Sequence, residues 1–101
     1  MGKLYDWLSQ QHHGLKTYKA FRSTLLDRVA DDAQHRALYR LLAGLTEEYI
    51  ARYDAEAVPV EVAEDTFRRL LELVARAESS LTASPAEQIK ALNELAAATL
   101  V

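Results

Sequence analysis

Asp31, Asp32 and His35 form the tightest grouping of chemistry-bearing residues in the chain. The two acids stand four and three residues before the histidine. On a helix that spacing can turn two side chains towards one metal ion. The same aspartates suit a helix start, because a carboxylate accepts from free first-turn amides. Capping is the role expected of them. His12 and His13 are adjacent, so on a helix they diverge by about 100°. No His-x-x-x-His or Glu-x-x-His pattern joins them. No metal and no cofactor is expected.

Arg22 is the second residue of interest. At about 100° per residue it falls among Leu15, Leu26 and Val29, inside an apolar stripe. A buried, unpaired guanidinium is costly. Arg22 therefore snorkels, pairs with a carboxylate on a neighbouring helix, or faces a partner or an anionic ligand. The aromatic residues are the third feature. Seven of eight lie in residues 1–53: Tyr5, Trp7, Tyr18, Phe21, Tyr39, Tyr49 and Tyr53. Tyrosine joins a rigid apolar ring to a polar tip, which suits both a thin core and a contact surface. The candidate partner-binding residues are Trp7, Tyr18, Arg22, Tyr49 and Tyr53. Trp7 leads the set, because a segment so near the terminus stays ordered only when it docks on something.

Enzyme patterns are missing. The chain has no glycine-rich phosphate loop, nucleophile elbow or His-Glu-x-x-His. Glu47-Glu48 and Glu64-Asp65 are adjacent carboxylates, which do not converge on a substrate from a helix. No catalytic residue is expected. There are no cysteines, which removes disulfides and thiolate chemistry. The start has no apolar run of signal length, and no stretch reaches the roughly 18 apolar residues of a membrane span. A cytoplasmic protein without a membrane role is expected.

The formal net charge is −3. Residues 1–53 carry eight Lys/Arg against six Asp/Glu, and residues 54–101 carry four against nine. The first half is mildly basic and the second acidic. Lys16, Lys19, Arg28, Arg36 and Arg40 leave room for a nucleic-acid regulator built on the second and third helices. Asp31 and Asp32 would then face phosphate, which disfavours it.

The residues must be positioned by helices. Half of the 101 residues are apolar, as in a globular chain, and the length fits one domain over 1–101. Leu4, Tyr5, Trp7 and Leu8 predict a short first helix that stops at Gly14. A second runs from about Leu15 to Val29. Asp31 or Asp32 caps a third that ends near Tyr53, with an apolar arc broad enough for a central position. A fourth spans Val60 to Ser80. Its inner face is Ala63, Phe67, Leu70, Leu71, Val74, Ala77 and Leu81. Asp65–Arg69 and Glu72–Arg76 are paired at i,i+4 on the outside. Ser84-Pro85-Ala86-Glu87 is a strong start signal for a fifth, with Ile89, Leu92, Leu95, Ala96 and Thr99 inward. The only strand-like alternation, residues 58–62, contains Pro59. Short links between helices imply antiparallel neighbours. The expected fold is all-α, a small antiparallel bundle of four or five helices. The expected function is a protein-interaction module, as a homo-oligomer or as an adaptor or inhibitor of a larger protein. A nucleic-acid regulator and a ligand- or metal-binding bundle are the alternatives.

Overall fold

Five helices follow one another: α1 (Lys3–Ser9), α2 (Leu15–Asp31), α3 (Arg36–Tyr53), α4 (Val60–Ser80) and α5 (Pro85–Ala97). They come from a computed structural model that describes residues 2–101; Met1 lies outside it. No strand occurs among the described residues, and no helix is long and apolar enough to cross a membrane.

The apolar spacing explains the packing. α2 buries Tyr18, Phe21, Leu25 and Val29, a stripe at intervals of three and four. α3 buries eight residues, among them Leu38, Tyr39, Leu42, Leu45, Tyr49 and Ile50. That broad arc lets it pack against both α2 and α5. α4 packs against α1 and α5. Arg28 pins α2 to α3, lying over the Tyr39 ring and donating to its hydroxyl at 3.4 Å. The core gathers Leu8, Tyr18, Phe21, Leu25, Leu42, Leu70, Val74 and Leu95, each almost wholly buried. Each such aliphatic or aromatic side chain contributes about 1.5–3 kcal/mol.

The helix starts are set by different partners. Ser84 accepts from the Glu87 amide at 3.3 Å and Pro85 opens α5, as its sequence predicts. The Glu87 side chain turns instead towards Arg76, at 3.7 Å. At the start of α3 the expectation needs correction. Asp31 is the last residue of α2, and α3 begins only at Arg36. Asp32 caps the turn between them by accepting from the His35 amide at 3.1 Å.

Two other expectations differ. Arg69 and Arg76 do not pair along α4. Arg69 donates to the Thr99 and Leu100 carbonyls, and Arg76 donates to Glu94 at 2.7 Å. Both fasten α5 and the tail to α4. Asp65 accepts from Arg68 at 3.3 Å. On α5 Leu95 is buried and Leu92 packs against the core as expected, whereas Ile89 is 59% exposed and Ala91 is buried instead.

Candidate functional site

The first helix is only seven residues long, and a helix of that length does not persist alone in water. Glu78 of α4 holds it. Its carboxylate accepts from the Leu4 amide at 3.2 Å and from the Tyr5 amide at 2.8 Å. These are orphan first-turn donors, and the negative charge also suits the helix N-terminus. Gly2 leaves room for this cap: a Cβ there would meet the Glu78 carboxylate, which would have to swing aside. Leu4 and Leu8 then point into the core.

That placement presents Trp7. Its ring lies nearly parallel to Phe21, with planes 9° apart and centroids separated by 6.3 Å. One face is supported, and 39% of the residue remains exposed. Trp7 forms one wall of an open groove of about 360 Å³, continued by Gln11, His12, Lys16, Thr17 and Ala20. The groove runs between α1 and the first turns of α2. A half-supported indole beside an open groove is suited to seating an apolar side chain, and Lys16 puts a positive charge on its rim.

The other four candidates do not gather there. Tyr18 and Tyr49 are core residues, stacked with centroids 4.1 Å apart and almost fully buried. As folded, neither can touch a partner, so their role is packing. The reason is register: Tyr18 shares the inward stripe of Phe21 and Leu25, and Tyr49 follows Leu42 and Leu45 on α3. Burial raises the Tyr18 hydroxyl well above the ordinary tyrosine range, with the nearby Tyr49 adding to it. Burial likewise raises Tyr49. The Tyr18 hydroxyl lies near the Tyr49 side chain but has no partner in good hydrogen-bond geometry. Tyr53 is half-buried at the end of this stack. It sits 5.0 Å from Tyr49, with the Arg52 guanidinium 4.9 Å over its ring. Arg22 is partly buried and makes no ion pair or hydrogen bond among the described residues, so pairing with a neighbouring carboxylate is not the solution it adopts.

The basic residues of α2 and α3 are partly committed. Lys19 pairs with Asp54 at 3.1 Å, and Arg36 donates to the Val29 carbonyl at 2.7 Å. His12 and His13 are exposed, and His13 meets Phe67 edge-on. No group of three or more metal-ligating side chains occurs among the described residues.

Sequence reasoning singled out Trp7 and, for its charge alone, Lys16, and missed that they share a groove with Thr17 and Ala20. Thr17 and Ala20 carry no pattern of their own; they become part of a surface where Glu78 seats α1 alongside. No family model matches the chain, and neither a curated protein nor a solved structure matches it significantly.

Proposed function

We propose that this chain is a non-catalytic protein-interaction module that associates through the groove beside Trp7, with a second copy of itself as the partner. The exposed indole carries the reading. Tryptophan is enriched among residues that dominate binding energy, and here it is held rigidly by Phe21 rather than folded into the core. Charge supports self-association. The groove rim carries Lys16, while the start of α4 exposes Glu61 and Glu64 beside Val60, which is 67% exposed. In a two-fold pair each copy offers its groove to the other's α4 start. The scaffold under this reading is an antiparallel bundle, which the four-residue link between α2 and α3 supports, and it acts in the cytoplasm.

Sedimentation equilibrium of the wild type, Trp7→Ala and Lys16→Glu tests it. A dimer is expected whose dissociation constant rises at least about tenfold in Trp7→Ala, a change of ~1.4 kcal/mol. Glu61→Lys with Glu64→Lys should partly restore pairing of Lys16→Glu. A monomer at every concentration, or a dimer indifferent to Trp7, refutes the reading.

A further inference from the structure

A second open face lies between α3 and α5. It holds a groove of about 140 Å³, lined on its apolar side by Leu41, Gly44, Leu45, Leu95 and Ala98. Leu41 is only partly buried within its own chain. A Cβ added to Gly44 would meet nothing within 4 Å. Glycine inside a helix is less favourable than alanine, and its use there is to let another backbone come close. No part of this chain makes that approach.

The charges on either side of Gly44 are also uncommitted. Arg40 stands one turn before it and Glu48 one turn after it, and both line the groove and are exposed. Neither forms an ion pair among the described residues. They are about 12 Å apart along the helix axis, too far to pair with each other. Arg40, Gly44 and Glu48 make one row at i,i+4, basic at one end and acidic at the other. Such a row is complementary to its own reverse. A two-fold axis at Gly44 sets Arg40 of each copy against the partner's Glu48. Rows of this spacing lie side by side when two helices cross at about 50°, the commonest packing between helices.

We propose that this face is a second self-association surface, on which α3 of one copy crosses α3 of another at Gly44. Two Arg40–Glu48 ion pairs flank the crossing, and Leu41 of each copy enters the other's groove. A partner of a single charge sign would match one end of the row and oppose the other, so a second copy fits better than an acidic or a basic chain. The surface shares no residue with the Trp7 groove. With both in use, the chains join into assemblies larger than a dimer.

The test is sedimentation equilibrium of the full chain over a dilution series, in the wild type and in Trp7→Ala, which weakens the other surface. The wild type is expected to form species larger than a dimer at high concentration, and Trp7→Ala a dimer. In the Trp7→Ala background, Arg40→Glu should raise the dissociation constant at least about tenfold, and adding Glu48→Arg should restore it. Gly44→Leu should abolish this pairing while the melting temperature holds or rises, because leucine favours a helix more than glycine does. Trp7→Ala that stays monomeric throughout overturns the proposal. So does charge reversal without rescue, or Gly44→Leu that pairs as before or melts lower. A wild-type dimer indifferent to Trp7→Ala yet broken by Arg40→Glu supports this surface and refutes the Trp7 reading, so the two fail separately.

Discussion

At the scale of single residues, the aromatic cluster divides by what each ring touches. Trp7 has one face on Phe21 and one face free, whereas Tyr18 and Tyr49 have none free. The helical period showed that these residues share apolar stripes. It did not show which stripe a neighbouring helix would cover, because a wheel gives direction without distance. Arg22 illustrates the same limit: its place in the stripe was legible, and its lack of a charged partner was not. The orphan Tyr18 hydroxyl gives a direct test. A buried hydroxyl without a partner costs about 1–3 kcal/mol, so Tyr18→Phe should leave stability unchanged or raise it by up to ~1–2 kcal/mol in urea denaturation. A loss above about 1 kcal/mol would mean that the hydroxyl is satisfied in solution.

At the scale of elements, Glu78 decides whether α1 is part of the fold. Glu78→Ala removes both acceptors from the Leu4 and Tyr5 amides. A cost of about 1–2 kcal/mol is expected, in the range of a lost cap. Amide exchange in α1 should quicken, while the interface of α2 with α3 keeps its protection. Uniform exchange across all helices would show that α1 is not separately anchored. Nothing in the sequence near α1 revealed this cap, since the two partners are more than seventy positions apart. By contrast, α4 and the start of α5 were legible to the residue: Val60 follows Pro59, and Ser84-Pro85 is a local signal. On α5 Ile89 was misplaced, while Arg69 and Arg76, assigned to their own helix, reach across to the tail and to Glu94.

At the scale of the whole molecule, stability should narrow at both ends of the pH range. The hydrogen bond from His35 holds the Asp32 carboxyl below its ordinary value of 3.8, and that from Arg76 holds Glu94 below 4.5. Groups whose folded values are lowered stabilise above the ordinary value, and that contribution disappears as pH falls through the folded one. Tyr18 and Tyr49 are raised above 10.0, so their contribution is complete below that value and is lost as pH rises past it. Melting temperature should therefore fall below about pH 4 and again above about pH 10. Tyrosinate absorbance from Tyr18 and Tyr49 should appear together with unfolding. Early ionisation of all five tyrosines in the folded chain would contradict the buried stack.

The central claim is that a second chain covers the groove beside Trp7. The chain has one tryptophan, so its fluorescence reports on that surface alone. Acrylamide quenching measured across a dilution series is the most direct measurement. The account predicts that the indole becomes less quenchable and its emission shifts to shorter wavelength as concentration rises, with no such change in Lys16→Glu. Quenching that stays the same at every concentration would contradict it.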